Sequence, residues 1–285
     1  MDETGRPDRQ RRARGERRQR DGVQHEHREA VPARDLVEKP ADEVAAAYAR
    51  TVTDHGQNIQ VSNTTKLNRY PGLFTAVAAI AGAAGIVQPD ILSFGSSTGE
   101  EVFTLTEYFP GSAVLGLEIN DTAIAQARAA YGDTPGVRFE KSGAFDVAAG
   151  SLDIVFALSV LCRWPVTRRM DAIGDLYPFS AFEQHVAYLD SLLKPGGLLV
   201  IFNANYSFLH SRVSLGYDLV GHPRLARKGV VKRFRRDGTF DPDFTGSDCI
   251  YYKQREDERH GERGLMVRGP DMNRIAMIER DVAIA

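Results

Sequence analysis

Between residues 71 and 202 the apolar positions switch repeatedly between a helical period and short continuous runs. Pro71 opens a turn, and Leu73, Phe74, Val77 and Ile80 follow on one face of a helix that ends at Gly85. Ile91-Leu92-Ser93-Phe94 reads as a buried strand, and Glu100 to Tyr108 as a helix with Val102, Phe103 and Leu105 inward. Ala113 to Leu117 predicts a second strand, Asp121 to Tyr131 a helix, Val137 to Phe139 a short strand and Leu152 to Leu158 a fourth. Ser180 with Glu183 has the spacing of a capping box, and Phe182, Val186, Leu189 and Leu193 keep a helical period behind it. Lys194-Pro195-Gly196-Gly197 stops that helix, and Leu198 to Phe202 is a fully apolar fifth strand.

Strands that alternate with helices build βαβ units, hence an α/β fold with a doubly wound, mostly parallel sheet covered on both faces. The end of the chain breaks the alternation. Val230 to Phe234, a turn at Asp237-Gly238, and Ile250 to Lys253 read as strands with no helix between them, which predicts an antiparallel C-terminal edge. Upstream, Asp42 to Val52 is Ala-rich and helical, and a polar linker from His55 to Lys66 follows.

Composition changes this picture mainly at the ends. Residues 6–20 hold eight arginines interrupted by Asp8 and Glu16, with nothing aromatic or β-branched. Such a segment cannot bury enough surface to offset the entropy of ordering it, so residues 1–40 are expected to be a disordered tail. The domain is expected over 41–258, with a C-terminal extension at 259–285. The whole chain of 285 residues carries 36 Lys and Arg against 38 Asp and Glu, a net charge of −2, so charge supplies no general argument for nucleic acid or an anionic membrane. The Arg-rich tail and the segment around Arg224, Arg227, Lys228, Lys232, Arg233, Arg235 and Arg236 leave a nucleic-acid contact as a disfavoured alternative. Phe74 to Val87 is too short and too rich in Ala and Gly to span a bilayer, and no secretory signal is visible, so a soluble cytoplasmic protein is expected. Two cysteines, Cys162 and Cys249, form neither a disulfide framework nor a metal quartet, and the histidines lack ligand spacing, so no metal is expected.

The informative segment is Asp90-Ile91-Leu92-Ser93-Phe94-Gly95-Ser96-Ser97-Thr98-Gly99-Glu100-Glu101, a buried strand, a Gly-bounded turn of small residues and a helix. Gly95 lets the chain turn sharply at the carboxyl end of the strand, and Gly99 is expected to let backbone approach a ligand over the crevice. Glu118 ends the next strand, where a carboxylate can accept hydrogen bonds from both hydroxyls of a ribose. These features predict a nucleoside-containing cofactor at the first switch point of the sheet. A dinucleotide would call for G-x-G-x-x-G and a helix N-terminus open to a diphosphate. Glu100 and Glu101 in the first helical turn would repel that group, and they suit a cofactor with a cationic amino-acid end. S-adenosylmethionine has an ammonium, a sulfonium and no phosphate.

The strand and G-x-x-x-G loop, the acidic end of the second strand and the Leu193-Lys194-Pro195-Gly196-Gly197 turn resemble the class I S-adenosylmethionine-dependent methyltransferases over roughly residues 63–208. Gly95-Ser96-Ser97-Thr98-Gly99-Glu100-Glu101 is most similar to the loop of the chemotaxis receptor methyltransferases. Asn63-Thr64-Thr65 and Arg69-Tyr70 loosely resemble their cofactor-covering segment. The resemblance implies a Rossmann-like methyltransferase sheet and cofactor contacts at Arg69, Gly95, Ser96, Ser97, Thr98, Gly99, Glu100, Glu118, Ile119, Ser142, Gly143, Ala144 and Ser159. The chain departs from that subfamily in two places. Leu158-Ser159 stands where an Arg-Asn pair is usual, and Lys141-Ser142-Gly143-Ala144 lacks an acid for the adenine amino group. No receptor-docking insertion is present, and a receptor glutamate is not the expected substrate.

The methyl acceptor is unidentified, a small molecule being favoured over protein or RNA. No catalytic residue is assigned; Asn203, Tyr206 and His210 follow the fifth strand and are the candidate bases by topology. Trp164 stands where acceptor should enter, with packing and substrate contact equally open, while Cys162 reads as a small buried apolar residue. A nicotinamide-dependent oxidoreductase and a non-catalytic nucleoside- or partner-binding protein are the competing readings.

Overall fold

The computed structural model describes residues 65–220, 230–244 and 248–256. The expected tail over 1–40, the helix over 42–52, most of the linker that follows it, the segment from His222 to Lys228 and the extension over 259–285 lie outside the described residues.

Seven strands form one sheet: β1 (Asp90–Phe94), β2 (Ala113–Glu118), β3 (Val137–Lys141), β4 (Leu152–Leu158), β5 (Leu193–Phe202), β6 (Tyr217–Leu219) and β7 (Ile250–Lys253). Their order is β3-β2-β1-β4-β5-β7-β6. The first five run parallel, whereas β7 is antiparallel to both β5 and β6. This is the doubly wound, mostly parallel sheet with an antiparallel C-terminal edge that the alternation of periods predicts.

Parallel strands are buried on both faces, and the period of two sorts their side chains. Ile91, Ile154, Phe156, Leu198 and Val200 join a core with helices α1 (Pro71–Ala83), α2 (Glu100–Tyr108) and α3 (Asp121–Tyr131). Leu92, Val155, Ala157, Leu199 and Ile201 join the opposite core with helix α4 (Phe179–Leu192). α1 begins with Pro at its first turn and stops before Gly85, whose φ of +74° takes the chain out of the helix.

Three local expectations need correction. The Ser180–Glu183 capping box does not form: α4 starts two residues earlier, behind Pro178, with no side-chain cap, and Glu183 instead accepts a hydrogen bond from Arg212 N at 3.1 Å. Lys194 to Gly197 belongs to β5 rather than to a turn before it. Val230 to Phe234 is not a strand. The partner of β7 at the edge is Tyr217 to Leu219, while Phe234 makes only isolated bridges to Tyr206 and Phe240. Asn205, fully buried, explains why that segment leaves the sheet. Its Oδ1 accepts from Arg163 N at 2.7 Å, and its Nδ2 donates to Lys232 O at 2.9 Å and Thr167 Oγ1 at 3.3 Å. Lys232 O is thus tied across the carboxyl end of β5.

Candidate cofactor site

The β1–α2 loop is built against β2 and against the residues after β4. Gly95 N and Ser96 N both donate to Leu117 O, at 2.8 and 3.0 Å. Gly95 has φ +77°, and a Cβ there would lie 2.5 Å from Val160 Cγ2, so no side chain fits. Gly99 also requires glycine, with φ +95°. A Cβ would meet Phe139 and Tyr131 at 2.9 Å and Ala127 at 3.1 Å, beneath the loop. The constraint is internal packing of α2 on α3 and β3. Ser96 likewise lies underneath: it is 2% exposed and its Oγ sits above Gly116. Ser97, held at φ +50°, keeps a buried hydroxyl oxygen with no hydrogen-bond partner.

Glu118 is 8% exposed, and its carboxylate is the centre of this arrangement. Oε2 accepts from Ser97 N at 2.8 Å, and Oε1 from Ile119 N at 2.8 Å and Asn120 N at 3.0 Å. A carboxylate offers about four lone-pair positions. Three are taken, so one remains, on Oε2. The partnerless Ser97 hydroxyl belongs to the residue whose amide holds that same oxygen. Ser142 N donates to Glu118 O at 2.8 Å, which brings the turn Ser142-Gly143-Ala144 to the same edge. Gly143, at φ +80°, has open space where a Cβ would be. Ile119 contributes its amide to Glu118 rather than leaving it free for a ligand.

Beside the loop, Thr98 Oγ1 donates to Glu100 Oε2 at 2.7 Å and folds that carboxylate back on the turn. Glu101 accepts from Ser93 Oγ at 2.8 Å. Burial pushes the Glu101 carboxyl up to about 7, against the opposing pull of the Ser93 hydroxyl and the Arg69 cation. The charge of Arg69 thus reaches Glu101 in the first turn of α2. Its neighbour Tyr70 reaches the ends of β4 and β5, where its phenol oxygen lies 2.7 Å from Ser159 Oγ and 3.1 Å from Asn203 Nδ2. The Ser159 hydroxyl is engaged in that cluster.

The three candidate bases separate. Tyr206 is fully buried and donates to Tyr177 O at 2.5 Å, which makes it part of the core. Burial lowers the pKa of the His210 imidazole, against the pull of Asp241 and Asp248 and with the push of Arg236 and Arg233. Asn203, an amide, remains at the crevice. Cys162 is buried, as expected. Trp164 is half-buried, with the Arg168 guanidinium 5.8 Å from its ring. Of the basic segment's described residues, Lys232 pairs with Asp171 at 2.9 Å, Arg233 with Asp248 at 3.7 Å, and Arg235 with Asp243 at 3.2 Å. Sequence reasoning missed the Ser93–Glu101 pair, because a serine inside an apolar strand signals nothing until a helix carboxylate is folded over it. Among the described residues no group of three or more His, Cys, Asp or Glu is arranged for a metal ion, and no helix is long and apolar enough to cross a membrane.

The sheet order and the Gly-bounded loop after β1, held against a carboxylate that ends β2, define a doubly wound α/β protein with a candidate site at the first switch point. Residues 92–201 match the family model of a methyltransferase domain. No curated protein matches this sequence. Among solved structures, the chain is similar to an S-adenosylmethionine-dependent methyltransferase from Mesorhizobium loti, at 23% identity over 45% of this chain and 53% of that one, with a TM-score of 0.29. It is similar to one from Aquifex aeolicus at 15% identity over 40% and 56%, with a TM-score of 0.31. It is also similar to the plantazolicin methyltransferase BpumL in complex with SAH, at 16% identity over 56% and 51%, with a TM-score of 0.32. The chain spans about half the length of these structures.

Proposed function

We propose that this chain transfers the methyl group of S-adenosylmethionine to a small-molecule acceptor. The observation that carries the reading is the Ser97–Glu118 pair: a buried hydroxyl without a partner beside a carboxylate with one acceptor position left. Together they suit the two hydroxyls of a ribose. The methyltransferase-domain match over residues 92–201 supports the same reading. Glu118 and Ser97 would hold the ribose, and the Ser142 hydroxyl with the backbone of 142–144 the adenine. Arg69 would take the methionine carboxylate, with Glu101 and Glu100 toward its ammonium. The Gly95-to-Glu101 likeness to chemotaxis receptor methyltransferases belongs to this reading of the loop and is not extended to their substrate.

S-adenosylmethionine supplies an activated methyl group whose leaving group is a neutral thioether. The protein's task is to align an acceptor with it at about 3 Å and to exclude water. Because the sulfonium charge disappears in the transition state, a carboxylate at sulfur would oppose the reaction. Glu118 at the ribose and Glu101 held by Ser93 are consistent with that requirement.

Calorimetric titration with S-adenosylmethionine, S-adenosylhomocysteine and NAD tests the cofactor. Binding of the first two and not of NAD is expected, and the reverse overturns the proposal in favour of an oxidoreductase. Transfer of tritiated methyl from S-adenosylmethionine into the small-molecule fraction of a bacterial extract tests turnover. Tight binding with no transfer into small molecules, protein or RNA would make the chain a binder.

A further inference from the structure

Residues 68–70 run from α2 to the carboxyl ends of β4 and β5, and both ends of this short segment are pinned by side chains. At one end, Asn68 N donates to Thr104 Oγ1 of α2 at 3.0 Å, and Tyr108 OH donates to Asn68 Oδ1 at 3.0 Å. At the other, Tyr70 OH meets Ser159 Oγ at 2.7 Å, and Asn203 Nδ2 donates to both oxygens, at 3.1 and 2.9 Å. Asn203 Oδ1 is itself held by Val230 N at 2.9 Å. Ser159 and Asn203 directly follow β4 and β5, with φ of +57° and +56°. Non-glycine residues held there cost of order 1–3 kcal/mol each and persist only where the surroundings impose them. The Tyr70 ring stands edge-on to Phe202 at 5.1 Å between centroids. Arg69, between the two pins, is the residue whose charge reaches Glu101.

We infer that Tyr70 is a positioning residue: hooked on Ser159 and Asn203, its hydroxyl holds residues 68–70 between α2 and the ends of β4 and β5 and sets Arg69 near Glu101, so that cofactor leaves only when the hook opens. Proton counting adds a consequence. Asn203 gives a proton to each oxygen, and the single bond between the two hydroxyls uses one of their two protons. Whichever hydroxyl donates, the other keeps an O–H with no acceptor inside the cluster, available to a polar group that enters beside it.

The cofactor half of this inference rests on the S-adenosylmethionine reading; the hook itself does not. The test compares Tyr70→Phe, Ser159→Ala and the double variant by amide hydrogen exchange of the ligand-free proteins and by the dissociation rate of S-adenosylhomocysteine. Tyr70→Phe keeps the ring on Phe202 and removes only the hydroxyl. Faster exchange at Asn68 to Tyr70 is expected, with dissociation about tenfold faster and association unchanged, and the double variant no faster than Tyr70→Phe alone. A slower association with unchanged dissociation would mean a disturbed site rather than an opened hook, and would overturn the inference. Exchange and dissociation both equal to wild type would overturn it as well. If wild type fails to bind S-adenosylhomocysteine, the cofactor reading falls, and the exchange measurement alone decides the hook.

Discussion

Replacing Glu118 by Gln removes one oxygen from a carboxylate that serves three amide donors. The remaining oxygen satisfies Ile119 N and Asn120 N if the new NH2 group faces Ser97 N, donor against donor. The Ser97 hydrogen bond to a charged acceptor is then lost, at a cost of about 1.5–3 kcal/mol. For a domain of this size each kcal/mol is worth about 2–4 °C, so a fall in melting temperature of roughly 3–12 °C is expected. The same substitution removes the free acceptor position on Oε2 and loosens the loop that carries Ser97. Affinity for S-adenosylhomocysteine should therefore drop by about tenfold or more, a step of about 1.4 kcal/mol. Scanning calorimetry measures the first quantity and isothermal titration the second. A lower melting temperature with unchanged affinity would reduce Glu118 to a clasp between β1 and β2 and remove it from the ribose site. No change in either would refute the carboxylate geometry itself.

Gly99→Val should lower the melting temperature by several degrees even without ligand, because φ +95° and the 2.9 Å approaches to Phe139 and Tyr131 leave no room for a side chain; a melt within a degree of wild type would show that the α2–α3 contact is not as tight as this. Glu101 has a folded value near 7 against 4.5 unfolded, so the folded state binds the extra proton: its contribution to stability is fully present below pH 4.5 and is lost as pH rises through 7. Glu101→Gln should accordingly match wild type near pH 4.5 and exceed it above pH 7 in urea unfolding, and equal pH profiles would count against the buried carboxyl. Asn205→Ala removes the partner of Arg163 N and of Lys232 O in a partly buried setting, at about 1–3 kcal/mol for each group, and should cost roughly 4–24 °C in a thermal melt; an unchanged melt would mean these segments are held by other contacts.

How much of this was legible in the chain depended on how local the cause was. Ile91 to Phe94, Leu152 to Leu158 and Leu198 to Phe202 announce buried parallel strands, because both faces of such a strand must be apolar. Leu73, Phe74, Val77 and Ile80 announce a helix face for the same reason of burial. The three-residue strand Tyr217 to Leu219 carries no period and could not be read; it is a strand because β7 offers it unpaired backbone. Val230 to Phe234 has apolar residues at its two ends, yet it lies outside the sheet, since Asn205 captures Lys232 O.

The site divides along the same line. Gly95, Gly99 and Glu118 were visible by type and spacing, because turn geometry and the end of a strand are written in neighbouring residues. Their surroundings were not. That Gly99 guards packing against Phe139 and Tyr131, that Glu118 already holds three amides, and that Tyr70 meets Ser159 and Asn203 all depend on groups remote in sequence. Local order along the chain specifies which residue types stand at a turn or on a face, since backbone geometry and burial act over a few residues. Which hydrogen-bond positions stay free depends on every donor and acceptor brought to the same place, and only the folded chain brings them there.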